Sequence, residues 1–312
     1  LEPEDFTLAT ASVTFAAGSL SGAAQNATAN LINDLTSEAS ESFDLNLGNA
    51  FVSANITLGR SVTAVQILDN DTPGVTVTQS GGTAVTEGGA TDTYTIVLGS
   101  QPTGDVTITL NPGTQLSVAP TPVIFTTANW NVAQTVTVTA VDDAIAEGSH
   151  SGTISHAATS SDAVYNGFVI ASVSATITDN DNAGVTVVES AGSTAATEGG
   201  ATDTYSIVLT SQPTSDVAVI LGVGAQVSLS PSNLTFTAAN WNVAQTVTVT
   251  ATDDAVVEGA HSAAITHSTS SSDPNYSAIA VAGVNVDITD NDSATVGFAL
   301  ANVSQPEATS PM

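Results

Sequence analysis

The stretch Ala128-Asn129-Trp130-Asn131-Val132-Ala133-Gln134-Thr135-Val136-Thr137-Val138-Thr139-Ala140 decides the fold, because it recurs unchanged from Ala239 to Ala251. Within it, Val136, Val138 and Ala140 alternate with threonines, which is the period of a β-strand with one buried and one solvated face. Asp-Asn-Asp triplets close successive segments at 69–71, 179–181 and 290–292. The chain is therefore predicted to consist of tandem β-rich repeats.

Each repeat is predicted to fold as a seven-stranded antiparallel β-sandwich of the immunoglobulin-like class. Seven apolar, β-branched runs carry this prediction in the first full repeat, near residues 74–79, 92–98, 105–110, 115–126, 134–140, 150–157 and 169–178. No spacing typical of βαβ units occurs, and about 110 residues suffice to bury a core. We therefore expect an all-β protein of tandem sandwiches arranged as a rod.

The repeats predict four segments along the chain. Residues 72–181 and 182–292 are two full repeats, since the run Thr86 to Tyr94 recurs in the second of them. Residues 1–71 align with the later part of a repeat, which predicts a partial domain that lacks its first strands. Residues 293–312 look like the first strand of a further repeat. We therefore expect the chain to start and stop inside domains.

The composition excludes several kinds of crosslink and partner. The chain has no Cys and no Lys, which excludes disulfides and Lys-based isopeptide bonds, and Arg60 is its only permanently cationic side chain beside 30 acidic residues. A formal net charge of −29 repels nucleic acid and anionic membrane surfaces. No apolar run reaches about 18 residues, so membrane insertion is not expected. The acidity indicates a high-salt habitat, general solubility or divalent-cation binding.

Most acidic residues in the strand connections are predicted to gather at one pole of each sandwich. Because the chain alternates direction, the loops after the first, third and fifth strands lie beside the end of the seventh. The full repeats place at this pole Glu87, Asp142, Asp143, Glu147, Asp179 and Asp181, and Glu198, Asp253, Asp254, Glu258, Asp290 and Asp292. The outer segments contribute Asp34, Glu38, Glu41, Asp69 and Asp71, and Glu307, which corresponds to Glu87.

This clustering predicts bound Ca²⁺. Carboxylates gathered without Lys or Arg repel each other, and a hard cation removes that cost. Ca²⁺ takes about six to eight oxygen ligands in loose geometry, whereas Zn²⁺ and copper favour His and Cys. The alternative is that these are ordinary turn residues, since Asp and Asn are favoured in turns. Recurrence in register favours the ion.

The acidic pattern has three parts: a Glu after the first strand, an Asp-Asp followed four residues later by Glu, and a closing Asp-x-Asp. The first segment adds Glu4-Asp5-Phe6, Val13 to Gly18, and the run from Asn33-Asp34 to Glu41-Ser42-Phe43. This pattern resembles the Calx-beta domain, the calcium-binding sandwich of sodium-calcium exchangers that also occurs in tandem in bacterial surface proteins and adhesins. The resemblance implies the ligands Asp5, Asp34, Glu38, Glu41, Asp69 and Asp71. The full repeats depart from it at His150 and His261, which replace the second Glu of the run, and this implies fewer or weaker ions there.

The histidines and tryptophans have two interpretations each. His150 and His156, like their counterparts in the second repeat, stand six residues apart on one face of a strand, which permits a metal pair, although exposed or cross-strand roles are commoner. Trp130 and Trp241 would stack carbohydrate if exposed, but we expect them to pack on the sandwich. No nucleophile with an activating base stands out, so no enzyme activity is expected.

The sequence therefore predicts a structural segment of an extracellular, cell-surface tandem-repeat protein or adhesin stalk, with Ca²⁺ rigidifying the joints between repeats. Its partners would be neighbouring repeats of a larger parent chain. One alternative is a subunit of a self-assembling extracellular filament, joined head to tail when the strand in 293–312 completes the partial domain of the next subunit. Another is a calcium-sensing regulatory module, which the lack of a membrane or effector segment disfavours.

Overall fold

The protein is all-β. The computed structural model describes residues 6–8, 25, 28–46 and 62–297. Strands make up 48% of the structure and helix 1%, so the class predicted from the period-two alternation is confirmed. Within the described ranges, no helix has both the length and the apolar character that crossing a bilayer requires.

Two compact units make up the chain. The first contains residues 1–142 and 149–178, and the second contains residues 143–148 and 179–312. The segment boundaries drawn from the repeats stay predictions. The strand expected in 293–312, and with it the filament alternative, falls mostly outside the described residues.

The first unit begins with two small antiparallel sheets. β1 (Phe6–Leu8) pairs with β2 (Ala29–Leu31), and β3 (Glu41–Asn46) pairs with β4 (Val62–Ile67). Glu41 stands opposite Ile67, so the first residue of β3 lies beside the strand end that leads into Asp69.

The rest of the first unit is a two-sheet sandwich of nine strands. They are β5 (Val75–Gln79), β6 (Thr83–Thr86), β7 (Asp92–Leu98), β8 (Val106–Asn111), β9 (Leu116–Ala119), β10 (Val123–Phe125), β11 (Gln134–Ala140), β12 (His150–Ser160) and β13 (Val173–Thr178). One sheet has the order β10-β8-β12-β13-β6 and the other β5-β7-β11-β9. Neighbouring strands are antiparallel except β6 and β13, which are parallel.

The second unit contains an equivalent sandwich. Its strands are β14 (Val185–Glu189), β15 (Thr194–Thr197), β16 (Asp203–Leu209), β17 (Val217–Gly222), β18 (Val227–Ser230), β19 (Asn233–Phe236), β20 (Gln245–Ala251), β21 (His261–Ser271) and β22 (Val284–Thr289), with a short 3₁₀ turn at Ser190–Gly192. The sheet orders are β14-β16-β20-β18 and β15-β22-β21-β17-β19. Here β15 and β22 are the parallel pair.

Alternating side chains of both sheets fill the core of each sandwich. In β22, Val284, Val286 and Ile288 are buried while the residues between them are exposed. Full burial of such side chains contributes about 1.5–3 kcal/mol each. Trp130 and Trp241 are partly buried against the cores of the first and second sandwich. Their predicted packed role is confirmed.

Nine strands per sandwich replace the predicted seven, and one pair is parallel rather than antiparallel. The first predicted run is followed by the extra strand β6, because Gly81 and Gly82 adopt φ values of 82° and 96° and turn the chain onto the other sheet. The predicted run 115–126 is split into β9 and β10 where Pro120 and Pro122 remove backbone donors. With four residues each, β6 and its counterpart β15 are too short for their period to stand out in the sequence.

Truncating Phe236 should cost the second sandwich about 3–5 kcal/mol, because a fully buried ring leaves a cavity when it is replaced by Ala. In a Trp130→Phe background, the fluorescence of Trp241 during urea unfolding reports on this sandwich alone. Val188→Ala, at a site that is 55% exposed on β14, should cost about 1 kcal/mol or less. Equal losses in the two variants would contradict the assigned core.

Candidate metal centre

The parallel pairing of β15 with β22 brings a glutamate to the strand end that carries the Asp-Asn-Asp triplet. Thr197 pairs with Thr289, and these are the last residues of the two strands, so Glu198 and Asp290 follow side by side. The Glu198 N–H continues the ladder with a 3.1 Å hydrogen bond to the Thr289 carbonyl. Parallel pairing, rather than the alternation of loops assumed from the sequence, therefore joins this glutamate to the triplet.

Asp290 fastens the acidic loop 253–259 to the end of β22. Its Oδ2 accepts hydrogen bonds from the N–H groups of Glu258 and Gly259, both at 2.7 Å, and its Oδ1 accepts one from Asp292 N–H at 2.7 Å. The Asp292 hydrogen bond is the largest of the effects that lower the pKa of Asp290, and those from Gly259 and Glu258 add to it. The Asp290 carboxylate is thus held ionised by three backbone donors.

The same fastening occurs in the other two triplets. Asp69 accepts hydrogen bonds from the N–H groups of Glu38 at 2.8 Å and Asp71 at 2.9 Å, and backbone hydrogen bonds, that of Asp71 first, lower its pKa. In the second unit, Asp179 accepts hydrogen bonds at 2.7, 2.6 and 2.8 Å from the N–H groups of Glu147, Gly148 and Asp181. The first aspartate of each triplet therefore acts as a turn residue, because its carboxylate accepts hydrogen bonds from backbone N–H groups.

The second residue of each Asn-Asp or Asp-Asp pair also shapes a turn. Its Oδ1 accepts a hydrogen bond from the N–H two residues ahead, and the pairs are Asp34 with Thr36 (2.8 Å), Asp143 with Ile145 (2.8 Å) and Asp254 with Val256 (2.7 Å). Such side-chain-to-backbone bonds are the usual reason for Asp in a turn. These loops are thus ordered by their own acids.

Glu198 differs from these aspartates because it is buried without a hydrogen-bond partner. The residue is only 2% exposed, and neither carboxylate oxygen has a partner among the described residues. Burial raises its pKa, and the charges of Asp290, Asp254 and Glu258 raise it further. A carboxylate in this position costs stability unless it takes up a proton or a cation.

The middle residue of the triplet positions the loop that follows β15. Asn291 Nδ2 donates hydrogen bonds to the Glu198 carbonyl at 2.7 Å and to Asp253 Oδ1 at 3.1 Å. Gly199 has a φ of 59°, and a Cβ there would come within 3.0 Å of both Asn291 Nδ2 and Asp253 Oδ1. A larger residue would push the cluster apart. Sequence reasoning missed both roles, although the Asn recurs in all three triplets and the Thr-Glu-Gly-Gly run recurs in both repeats.

Two sets of ligand atoms come together around Glu198. Carboxylate oxygens of Glu198, Asp290 and Asp292 lie within 4.8 Å of one another, and so do ligand atoms of Glu198, Glu258 and His261. Asp292 Oδ2 is buried without a hydrogen-bond partner in the described structure, and burial, followed by the neighbouring aspartates, raises its pKa. Four of the six acids predicted for this repeat thus supply atoms to the two sets. The Asp-Asp pair contributes charge and turn geometry.

In the first unit, Glu87 occupies the position of Glu198. It follows β6, is 2% exposed, and its N–H donates a 3.1 Å hydrogen bond to the Thr178 carbonyl. His150 Nε2 lies 3.9 Å from Glu87 Oε1. Asp142 belongs to the same unit and is exposed, whereas the other predicted acids of this repeat belong to the second unit: Asp143, Glu147, Asp179 and Asp181.

The first segment gathers its predicted acids around an open pocket. Its lining includes Asp34, Glu38, Glu41, Asp69 and Asp71. All of these offer oxygen donors, and none of the lining residues is a histidine. The two remaining predicted ligands, Asp5 and Glu307, and the predicted element Val13 to Gly18, lie outside the described residues.

The histidines do not form the metal pair that their spacing permits. His156 Nε2 lies 3.0 Å from the Tyr94 hydroxyl, and its Nδ1 lies 2.8 Å from the Ala171 carbonyl. His267 has equivalent partners at 3.1 and 2.6 Å. Burial lowers the pKa of both rings and raises the pKa of Tyr94 to about 12. His156 and His267 are therefore neutral parts of the sandwich. His150 and His261 instead begin their strands and lie near Glu87 and Glu258, respectively.

Comparison with known proteins shows similarity to solved structures only. No protein-family model and no curated protein matches the chain. The titin domains Z1Z2, solved in complex with telethonin, match at 11% identity and a TM-score of 0.33 over 72% of this chain and 100% of that chain. Calcium binding domain CBD12 of CALX1.1 matches at 12% identity and a TM-score of 0.30 over 67% and 97%. A protein of unknown function from Porphyromonas gingivalis W83 matches at 10% identity and a TM-score of 0.27 over 69% and 99%. At these values the similarity carries no argument about the site or the function.

Replacing Glu198 by Gln should stabilise the cation-free protein at neutral pH, because it removes a buried charge that its neighbours repel. The raised pKa of Glu198 means that the wild-type carboxyl is protonated without penalty at low pH, and the penalty grows as pH rises above the ordinary value of 4.5. In chelator, the variant should melt a few degrees above wild type at about pH 7.5, and at the wild-type temperature at about pH 4.

Asp216→Asn is the matched control. It also removes one acidic charge, but Val217 pairs with Ser271 at the end of β21, which is remote from the acidic pole where β21 begins. This variant should show no such pH-dependent gain. A lower melting temperature for Glu198→Gln than for wild type at neutral pH would contradict the assigned burial of a charged carboxylate.

Proposed function

We propose that the chain is a structural segment of an extracellular tandem-repeat surface protein or adhesin stalk, in which Ca²⁺ at the acidic pole of each repeat rigidifies the joint to the next. The observation that carries this proposal is the buried Glu198 carboxylate, which lacks a hydrogen-bond partner and lies beside Asp290 and Asp292. In a chain whose only Lys or Arg residue is Arg60, a divalent cation is the natural source of compensating charge.

The donor set around Glu198 suits Ca²⁺. Oxygens of Glu198, Asp290 and Asp292 lie close enough to share one ion. Ca²⁺ accepts carboxylate oxygens in flexible geometry, whereas Mg²⁺ demands a near-ideal octahedron. Extracellular modules of this kind bind Ca²⁺ with a Kd of about 10⁻⁴ to 10⁻³ M. Each ion would therefore stabilise its site by about 1 kcal/mol at millimolar concentration.

A role at joints is supported by what the acidic loops contact. Within the second unit, the loop 143–148 lies against the sandwich that follows it: the Ala144 carbonyl accepts a 2.6 Å hydrogen bond from Gln212 N–H, and Asn275 Nδ2 donates one at 2.6 Å to the Ala146 carbonyl. Both contacts are made by residues that lie between Asp143 and Glu147, and these two acids are predicted ligands. An ion that orders this loop would also fix its contacts with the next sandwich.

The first unit repeats this contact. The Leu35 carbonyl accepts a 2.7 Å hydrogen bond from Gln101 N–H, and Thr36 forms a parallel bridge with Gln101. Leu35 follows Asp34 as Ala144 follows Asp143, and both carbonyls meet an equivalent Gln of a following sandwich. The recurrence of this hydrogen bond at equivalent positions supports joints of the same construction in both places.

Millimolar Ca²⁺ should raise the melting temperature and slow cleavage by a glutamate-specific serine protease at Glu258, because the ion orders the loop that holds this residue. Cleavage at Glu189, the last residue of β14 and not a proposed ligand, should change less and serves as the reference site. Mg²⁺ at the same concentration should protect less.

The variants Glu198→Gln and Asp216→Asn separate the site from a general charge effect. In Glu198→Gln, the second repeat should lose its response to Ca²⁺. In Asp216→Asn, it should keep that response. Unchanged melting and unchanged cleavage of the wild-type protein in Ca²⁺ against chelator would remove the proposed function.

A further inference from the structure

A second set of ligand atoms, different in chemistry from the calcium set, lies where β21 begins. It consists of Glu198, Glu258 and His261, whose ligand atoms lie within 4.8 Å of one another. Glu198 contributes a carboxylate that is 2% exposed and has no hydrogen-bond partner in the described structure. This buried and unpartnered group distinguishes the set from an ordinary cluster of surface acids.

The His261 ring is oriented so that Nε2 faces Glu258, and in the neutral ring this nitrogen carries a lone pair. Its Nδ1 lies 2.9 Å from the Gly259 carbonyl, and since a carbonyl can only accept, Nδ1 carries the proton of the neutral ring. The other nitrogen, Nε2, then has its lone pair available. Nε2 is buried, lies 3.4 Å from Glu258 Oε2 and makes no hydrogen bond. A backbone carbonyl that fixes the tautomer in this way is typical of metal-binding histidines.

Glu258 is also held in place. Gln226 Nε2 donates hydrogen bonds to Glu258 Oε1 at 2.9 Å and Oε2 at 3.0 Å. Because these bonds approach the carboxylate from one side, its remaining lone pairs stay available to a cation. Gly259, with a φ of 70°, links the parts: its N–H donates to Asp290 and its carbonyl accepts from His261.

The same chain contains the oxygen-only version of this arrangement. Glu41 is the first residue of β3, as His261 is the first residue of β21, and each follows a glutamate by three positions. Asp69 fastens its loop through the same kind of backbone hydrogen bonds as Asp290. The two copies therefore differ at this position by an imidazole in place of a carboxylate. An oxygen-only set suits Ca²⁺, whereas an imidazole with carboxylates suits borderline ions such as Zn²⁺.

We propose that Glu198, Glu258 and His261 bind a borderline divalent cation of the Zn²⁺ class, at a subsite separate from the calcium subsite of Glu198, Asp290 and Asp292. Three protein ligands leave coordination positions for water. Glu198 has two oxygens and borders both subsites. The site shares this residue with the proposed function but does not depend on Ca²⁺ binding.

The direct test is nitrogen NMR of the ¹⁵N-labelled whole chain, first in chelator and then with Zn²⁺ or Ca²⁺ in excess. Zn²⁺ should move the Nε2 resonance of His261 away from its lone-pair position, and Ca²⁺ should not. His267 is the internal control, because its two nitrogens already contact the Ala282 carbonyl and the Tyr205 hydroxyl. An unmoved His261 Nε2 resonance in excess Zn²⁺ would overturn the proposal, whether or not any variant folds.

A His150→Glu background leaves His261 as the only histidine at this position of the repeat. There, His261→Glu should abolish calorimetric Zn²⁺ binding while the Ca²⁺-dependent rise in melting temperature remains. Gln226→Ala removes only the group that positions Glu258, so it should weaken Zn²⁺ binding by roughly 10–100-fold, the cost expected for a supporting partner of a metal ligand.

The outcomes also separate this proposal from the calcium function. Equal Zn²⁺ affinity in all variants would mean adventitious binding by surface acids and would overturn the proposal. A Zn²⁺ response at His261 without any Ca²⁺ effect on melting would support this site and refute the calcium function. The reverse pattern would leave the calcium function standing and refute the Zn²⁺ site.

Discussion

A parallel pairing of four residues in each of two strands brings acidic residues of the second repeat together. β15 lies beside β22 with Thr197 opposite Thr289, and this register makes Glu198 and Asp290 neighbours. A slip by one residue would turn every side chain of β15 to the other face. The buried Thr194 and Ala196 would then lose their places in the core, so burial of this short strand fixes the position of the glutamate. The acidic cluster therefore depends on core packing.

The cluster separates acids that look alike in the sequence into two kinds. Asp290 accepts three backbone hydrogen bonds, which spread its charge and lower its pKa. Glu198 and Asp292 have unsatisfied buried oxygens and raised pKa values. Backbone dipoles thus compensate the residue that shapes the loop, while the residues around it are left with charge that only a proton or an external cation can compensate. The proposed divalent binding rests on this division more directly than on the number of acids.

Much of the fold could be predicted from the sequence because alternation is a strong signal in long strands. Val173, Ala175 and Ile177 are buried as their period requires. The parallel strands β6 and β15 could not be predicted in this way, since four residues give too few alternations to show a period. Their discovery changes the reason why the glutamate reaches the triplet, although the expectation that it lies beside the closing aspartates was correct for Glu198.

The details of the site were harder to predict because they depend on hydrogen bonds between side chains and backbone. Nothing in the composition tells whether Asp290 faces a cation or three N–H groups. The role of Asn291, which bridges the Glu198 carbonyl and Asp253, likewise requires the loops to be placed first. Sequence spacing also permitted the paired histidines of a strand to act together, although it favoured exposed or cross-strand roles. Their partners show that His267 belongs to the sandwich while His261 faces the acids.

The position that begins β21 can change its chemistry without disturbing the scaffold. The backbone hydrogen bonds that fasten the loop run from Glu258, Gly259 and Asp292 to Asp290, and none of them uses the side chain of the first strand residue. The equivalent position holds Glu41 in the first segment, where Asp69 makes the corresponding hydrogen bonds. Replacing a carboxylate by an imidazole there alters the hardness and charge of the donor set while the loop keeps its shape. Under the proposed assignment, scaffold and ion preference are therefore set by different residues. One repeat architecture could then carry both an oxygen-only site and a mixed nitrogen and oxygen site along a single chain.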